Sequence, residues 1–227
     1  MSRAAPLAAV ASRVADLLLP ATCVGCGREG DPVCPGCLPA LHVRRDHPPG
    51  QAVGIPAELP APLVQLEWCA PFTGIPRRAL LELKYGGERR LAEPLGRALA
   101  DRWRAAGAGG DLLVPVPVHR DRERERGFNQ AALLARVAAG QLGLSVVDAL
   151  VRTHATTRQH GLGRDERSAN LAGAFAIVPR AAPALRGRWV VLVDDVVTTG
   201  STLTGCATAL VAGGALAVSA VALARER

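Results

Sequence analysis

The stretch from residue 190 to residue 203 constrains the fold of this chain more than any other, because it joins an apolar strand to a polar loop and a helix start. It begins with Val190-Val191-Leu192-Val193, a short run with three β-branched residues. Such a run is typical of a strand covered on both faces of a parallel sheet. Asp194 and Asp195 follow, where we expect the strand to end. Ligands of open α/β sheets bind beyond the carboxyl ends of the strands, so the two carboxylates predict a binding edge.

The residues after the two aspartates are suited to binding an anion. Residues 198 to 202 predict a loop, and a helix is expected to open near Ser201 or Thr202 and to stop at Gly213-Gly214. Backbone N–H groups, hydroxyls and the helix dipole can then hold one phosphate. A second apolar strand over 215–223 completes a predicted βαβ unit. Since carboxylates accept hydrogen bonds from sugar hydroxyls, the pattern predicts a phosphorylated sugar ligand. An ordinary turn with surface aspartates is the alternative.

Composition narrows the classes of ligand. The 227-residue chain has 27 Lys and Arg against 20 Asp and Glu, a formal charge of +7, which favours anionic partners such as sugar phosphates or nucleic acid. Aromatic residues make up only 3%, which disfavours a base-stacking platform for single strands. The sequence has neither a P-loop motif nor a Gly-x-Gly-x-x-Gly after a strand, so nucleoside triphosphatase and dinucleotide-binding functions lose support.

Four of the six cysteines are spaced as Cys-x-x-Cys-x7-Cys-x-x-Cys. They are Cys23, Cys26, Cys34 and Cys37. Each Cys-x-x-Cys can turn two thiolates toward one ion, so we predict a structural zinc site, with an iron–sulfur cluster as the less favoured metal. Two disulfides or four free thiols are the alternatives without metal. His42 and His47 could replace a ligand, but four cysteines already close the shell, and we expect both histidines to be exposed to solvent.

The chain divides into three predicted parts. Residues 1–47 combine an amphipathic N-terminal helix with the cysteine module, residues 48–62 form a linker rich in Pro and Gly, and residues 63–227 form the main α/β domain. Arg13 and Asp16 interrupt the apolar N-terminal stretch, which argues against a signal peptide and predicts a docked amphipathic helix in a cytoplasmic protein without stable membrane insertion. An interfacial membrane helix is the minority alternative.

Two further polar stretches are candidates for contact with an anionic ligand. Residues 126–130 place Arg126, Asn129 and Gln130 at a helix start, where they either contact pyrophosphate or belong to a solvated surface. Residues 152–170 lack an apolar period, and their Gly and basic residues favour a lid over disorder. The candidate ligand contacts in this second stretch are Gln159, Arg164 and Arg167.

Several motifs together resemble one family. They are the double Cys-x-x-Cys module, Leu83-Lys84-Tyr85-Gly86-Gly87, Val114-Pro115-Val116-Pro117, Arg126-Gly127-Phe128-Asn129-Gln130, and the acidic pair followed by Val-Val-Thr-Thr-Gly-Ser-Thr. In this order they are similar to the competence protein F (ComF) family, also called the amidophosphoribosyltransferase-like family. The acidic pair with its loop resembles the phosphoribosyl-pyrophosphate (PRPP) signature of type I phosphoribosyltransferases. The resemblance runs from about residue 17 to residue 225.

The resemblance implies a type I phosphoribosyltransferase fold, in which a mostly parallel sheet is flanked by helices, with a small N-terminal zinc module. It assigns the ribose hydroxyls to the acidic pair and the 5′-phosphate to the loop that follows. The residues so implied are Asp194, Asp195, Val196, Thr198, Thr199, Gly200, Ser201 and Thr202. Mg²⁺ would accompany PRPP, and the acceptor stays unspecified.

The family's link to DNA uptake leaves a second functional class open. In the leading hypothesis the protein binds PRPP and transfers phosphoribosyl with release of pyrophosphate. In the alternative it is a non-catalytic adaptor of DNA uptake that contacts single-stranded DNA or proteins of the competence machinery, or a regulatory PRPP sensor.

Overall fold

The computed structural model describes residues 20–49, 59, 61–107, 109–153 and 173–226. The predicted N-terminal helix and most of the predicted linker lie outside these residues. So do Gln159, Arg164, Arg167 and the greater part of the predicted lid.

A five-stranded parallel sheet forms the centre of the fold, in the order β3-β9-β8-β4-β5. Two short antiparallel pairs, β1–β2 and β6–β7, lie outside it. The strands are β1 (Ala21–Thr22), β2 (Glu29–Gly30), β3 (Leu63–Pro71), β4 (Leu112–Pro115), β5 (Ser145–Val146), β6 (Leu150–Arg152), β7 (Phe175–Ile177), β8 (Trp189–Val197) and β9 (Ala217–Arg225). The sequence-based prediction of a mostly parallel sheet is confirmed.

Helices cover both faces of the sheet. They are α1 (Gly74–Leu81), α2 (Ala92–Ala105), α3 (Arg120–Arg126), α4 (Gln130–Leu142), α5 (Ala182–Leu185) and α6 (Ser201–Ala212). Side chains alternate across β8, so Val190 and Leu192 belong to the core layer that contains α6, whereas Val191 and Val193 belong to the layer that contains α2 and α4. Burial on both faces explains why this strand is apolar without interruption.

Two predicted boundaries were wrong. Strand β8 does not end before the aspartates but continues through Asp194 and Asp195 to Val197, because β9 stays paired with it as far as Arg225. The predicted structureless segment began at Arg152, yet Leu150–Arg152 pairs with Phe175–Ile177. Helix α6 begins at Ser201 and is followed by Gly213, as predicted.

The cysteine module packs against the layer of α1 and α2. Val33 and Leu41 of the module are buried in the same core cluster as Leu80 and Leu95. The Arg78 Nη2 atom donates to the Gly25 carbonyl at 3.2 Å, and the Arg44 N–H donates to the carbonyl of Cys69, in β3, at 2.9 Å. The module therefore shares a core with the sheet domain, and the division at residues 47 and 63 stays a prediction.

No helix within the described parts of the chain is both long enough and apolar enough to cross a membrane.

Candidate functional site

The two aspartates are consecutive residues near the carboxyl end of β8, the central strand of the five, which lies between β9 and β4. Their exposed fractions are only 8% for Asp194 and 6% for Asp195. The Asp195 N–H donates to Asp194 Oδ1 at 2.8 Å. Burial, followed by the charge of Asp195, raises the pKa of Asp194 well above its usual value. Two adjacent buried carboxylates repel each other when both are charged. A cation, or a ligand that donates hydrogen bonds, would stabilise them.

Lys84 supplies part of that compensation. Its ammonium group forms an ion pair with Asp195 Oδ2, and its charge opposes the rise in the pKa of Asp194. Lys84 lies in a single π-helical turn, Glu82–Gly86, which continues α1, and such turns occur frequently at functional sites. The sequence motif that contains Lys84 was recognised, but its contact with the acidic pair required the fold, since more than a hundred residues separate the two.

The loop after β8 has the form predicted for an anion site. Gly200 precedes α6 with a φ of +82°, a left-handed conformation that glycine adopts without strain. Thr198 and Thr199 are exposed, and the hydroxyls of Thr199 and Ser201 lie 2.7 Å apart. Gly200 offers no side chain to cap the helix, so the N–H groups of the first turn face the loop. This arrangement can hold a phosphate at the helix start.

Residues 126–130 contact residues that follow Lys84 in the chain. The Arg126 guanidinium lies 4.8 Å from the centre of the Tyr85 ring, and Arg89 lies 4.7 Å from the Phe128 ring. Arg126 Nη1 also donates to Gln130 Oε1 at 3.0 Å. The two sequence motifs thus form one surface, which connects the predicted pyrophosphate element to the lysine of the acidic pair.

The two amide residues of this element have contacts of their own. Asn129 Oδ1 caps α4 by accepting from the Ala131 N–H at 2.9 Å, and Asn129 Nδ2 donates to the Val116 carbonyl at 3.0 Å. Gln130 is 5% exposed. Arg126 is half-buried, and the amides of Asn129 and Gln130 hold the turn in shape. Helix α3, which ends at Arg126, has no buried residue, as expected for a segment of alternating charge.

The four predicted metal ligands meet in one place. The sulfur atoms of Cys23, Cys26, Cys34 and Cys37 all lie within 4.8 Å of one another, and Cys26 Sγ is 3.6 Å from Cys34 Sγ. Tetrahedral zinc with Zn–S bonds of 2.3 Å separates its sulfurs by about 3.8 Å. Gly25 has no room for a Cβ, which would lie 2.5 Å from Cys37 Sγ. The donor set and the close backbone both fit a four-thiolate metal.

Backbone donors make the thiols unequal. Burial raises the pKa of Cys23, but N–H groups of Cys34, Cys26 and Gly25 more than offset it, and the pKa falls to about 6. Burial and hydrogen bonds to the other thiols raise the pKa of Cys37 to about 12. Thiols crowded in this way favour a thiolate-binding cation.

The histidines near the cluster differ from each other. His47 is exposed, as predicted, but His42 is half-buried and lies 3.9 Å from Asp101, so the prediction for His42 was wrong. Burial lowers the pKa of His42, and the Asp101 charge opposes that change. Helix α2 contributes Asp101 to this face, and no spacing rule in the sequence relates the two residues.

Comparisons with known proteins agree with the geometry. Residues 125–227 match the family described as phosphoribosyl transferase domain. DNA utilization protein YhgH of Escherichia coli (strain K12) is 34% identical over 211 residues, which cover 89% of this chain and 88% of that protein. The chain belongs to the ComF family. Competence protein F of Haemophilus influenzae is 38% identical to this ComF-family chain over 94 residues, 41% of each protein. Competence protein ComFC of Bacillus subtilis is 35% identical over 116 residues, 51% of this chain and 45% of that protein.

Proposed function

We propose that this ComF-family protein binds PRPP and transfers its phosphoribosyl group to an acceptor. The observation that carries the proposal is the buried Asp194–Asp195 pair, followed at once by a hydroxyl-rich loop and a helix start that Gly200 opens. Carboxylates complement the ribose hydroxyls, and the loop complements the 5′-phosphate. Val196, between the acidic pair and the loop, would contact the ligand through its backbone alone.

In this proposal, cations beside the acidic pair balance the charge of the leaving group. Lys84 and Arg126 are joined through Tyr85, and both can face the pyrophosphate of a bound PRPP. Mg²⁺ bound with PRPP would neutralise part of the pyrophosphate charge. Gln159, Arg164 and Arg167, which lie outside the described residues, would contact the pyrophosphate in the same proposal.

The reaction requires little covalent chemistry from the protein. A lone pair of the acceptor forms a bond to C1 of the ribose, the C1–O bond breaks, and pyrophosphate leaves with its electrons. The proton lost by the acceptor passes to water or to the leaving pyrophosphate. Positioning and electrostatic stabilisation therefore supply the rate enhancement, as in other transfers of charged groups.

Calorimetric titration with PRPP and Mg²⁺ tests the proposal, and pyrophosphate release in the presence of candidate acceptors tests turnover. Asp194→Asn combined with Asp195→Asn keeps the size of both side chains and removes their charge, so we expect PRPP affinity to fall by about a hundredfold or more. Undiminished binding by the double variant, or no binding by the natural protein, would overturn the proposal.

Zinc in the cysteine cluster has a structural role in this proposal. Four thiolates leave no open position for a substrate, so the metal would stabilise a segment too small to form its own core. Metal analysis of the purified protein checks this, with about one zinc per chain expected.

The names of the relatives favour a second candidate, a role in DNA uptake or use without catalysis. The exposed arginines of α3 and the charge of +7 would then contact single-stranded DNA, or the protein would bind competence proteins or act as a regulatory PRPP sensor. Filter binding of single-stranded DNA across a salt series tests DNA contact, which must be strongest at low salt. PRPP binding without turnover would favour the sensor.

A further inference from the structure

Lys84 is the single lysine among the 27 Lys and Arg residues of this chain. Its side chain is only 16% exposed, and its ammonium group pairs with Asp195. An ammonium group is a compact point charge, so its effect on the acidic pair depends on where the backbone of the lysine is held. Residues that hold this backbone can therefore act on the candidate PRPP site without touching a ligand.

The backbone of Lys84 is an extension of α1. Leu81 and Glu82, at the junction, both have right-handed helical φ and ψ, so α1 continues into the π-helical turn without a break. From Arg78 to Lys84 the helix rises by about 9 Å, and its backbone hydrogen bonds keep it stiff over that length. A displacement of α1 is thus carried to the lysine.

The cysteine module contacts α1 at Gly25, which lies between the predicted ligands Cys23 and Cys26. The backbone of Gly25 touches both the sulfur cluster and the helix. A Cβ at this position would lie 2.5 Å from Cys37 Sγ and 2.9 Å from Ile75 Cδ1, the latter in the first turn of α1. The shape of the first Cys-x-x-Cys turn and the place of α1 therefore depend on each other.

Two further observations join the module to this helix. Arg78, exposed on α1, donates from Nη2 to the Gly25 carbonyl at 3.2 Å, and Cys37 packs against the buried cluster that includes Leu83, the residue before the lysine. Thr73, which precedes α1, makes no side-chain capping hydrogen bond. The module therefore supplies a fixed point to a helix whose start has no side-chain cap.

We propose that the cysteine module positions Lys84 against Asp195, and that Ile75 and Arg78 are the positioning residues of this contact. The consequence for PRPP rests on the function proposed above, whereas the position of Lys84 in the free protein rests on the contacts alone. A misplacement of about 1 Å is enough to weaken the action of a charged group in a site severely.

Nuclear magnetic resonance of the full chain tests the position directly. Because the chain has one lysine, ¹³C-lysine labelling gives one Cε signal, which reports the ion pair without any ligand. Ile75→Ala combined with Arg78→Met removes both side-chain contacts with Gly25. We expect the signal to move toward its position in Asp195→Asn, where the partner charge is absent. An unmoved signal in the double variant would overturn the proposal.

Two controls separate this effect from a general loss of stability. Arg77→Met changes an exposed arginine of the same helix, whose guanidinium lies 6.0 Å from the centre of the Phe72 ring. Arg102→Met removes the ion pair with Glu67, which lies in β3 and not in α1. Neither should move the Lys84 signal, and a signal that moves equally in all three variants would contradict the proposal.

Calorimetry with PRPP and Mg²⁺ tests whether the position matters for binding. The double variant should lose affinity by about threefold to tenfold, no more than the loss expected for Lys84→Met. In the Lys84→Met background the same two substitutions should have no further effect, because they act through the lysine. Equal losses in both backgrounds would show a route that does not pass through Lys84 and would overturn the proposal.

The two measurements together distinguish failure of this proposal from failure of the proposed function. A Lys84 signal that responds to the double variant, in a protein that binds no PRPP, supports the positioning and rejects PRPP as the ligand. PRPP binding with a signal that does not respond supports the proposed function and rejects positioning by the module.

Discussion

Two groups of buried charged residues in the same sheet differ in their balance of cations and carboxylates. Glu67, in β3, is fully buried and accepts from Arg102 Nε at 3.0 Å and from Nη2 at 2.5 Å, with Arg44 close by. Asp194 and Asp195, in β8, are almost as deeply buried, yet Lys84 is the cation that the described structure places against them. Among the residues that the structure describes, two arginines lie against one carboxylate in the first group, and one lysine lies against two adjacent carboxylates in the second.

The difference separates a structural role from a ligand-binding one. Arg102 also donates to the carbonyls of Arg44 and His47 at 2.6 Å and 2.7 Å, so the Glu67 group joins the cysteine module to the sheet. The aspartate pair contacts Lys84 of the π-helical turn and lies next to the exposed Thr198 and Thr199 of the loop. A buried ion pair of the first kind is costly to break, whereas a charge imbalance of the second kind is relieved when a ligand brings donors or a cation.

Removal of metal should have the largest effect, and that effect should be on the stability of the protein. Metal binding contributes about 10 kcal/mol or more to the folding of small zinc modules, so chelation should unfold residues 20–47 and lower the melting temperature. Circular dichroism and zinc release measure this. Cys26→Ser should behave in the same way, whereas Cys69→Ala, outside the cluster, should retain zinc. A chelated protein with an unchanged melting curve would contradict the structural role.

Arg102→Met should have the next largest effect, a loss of about 3–5 kcal/mol in the free energy of unfolding, because it leaves the Glu67 carboxylate buried beside fewer donors. Urea denaturation measures the loss. Arg97→Met, on the exposed face of the same helix, should change stability by less than about 0.5 kcal/mol. At temperatures where Arg102→Met is folded, its PRPP affinity should match that of the natural protein. A loss of affinity without a loss of stability would reverse the roles assigned to the two groups.

Lys84→Met should act on ligand binding instead. Without the ammonium group Asp194 holds its proton to higher pH, so the pH midpoint for PRPP binding should rise, and affinity at pH 7 should fall about tenfold. Lys84 is the cation that the described structure places against the pair, and burial and the charge of Asp194 raise the pKa of the neighbouring Cys206 thiol of α6. Lys84→Arg retains the charge and should restore the midpoint. An unchanged pH profile in Lys84→Met would show that Lys84 does not control the pair.

Asp194→Asn should have the smallest effect, a gain in stability on the order of 1 kcal/mol at neutral pH, the common size of a single-substitution effect. The pKa of Asp194 is higher in the folded protein than its usual 3.8. The unfolded chain therefore loses this proton first, and stability falls as pH rises from 3.8 through the folded pKa. Asn can still accept the Asp195 N–H bond. The gain should disappear near pH 3.8 in a series of thermal melts, and a gain independent of pH would exclude this cause.

Local patterns determined much of what the structure contains. The run from Val190 to Val193, the helix start near Ser201 and the stop at Gly213 each follow from neighbouring residues, because periodicity, capping and glycine conformation act over a few positions. The cysteine spacing likewise predicted a common site, and all four sulfurs meet. The ends of strands were less predictable: β8 runs through both aspartates because its partner β9 continues beside it.

Only the tertiary structure decided which distant charges meet. Lys84 pairs with Asp195, Arg102 with Glu67 and Asp101 with His42 across 35 to 111 positions. The sequence alone predicted the apolar part of β8, the start and end of α6, the common cysteine site and the loop that suits a phosphate. Coulomb interactions and burial depend on distance in space, and that distance is set when the parallel sheet brings separate strand ends to one edge.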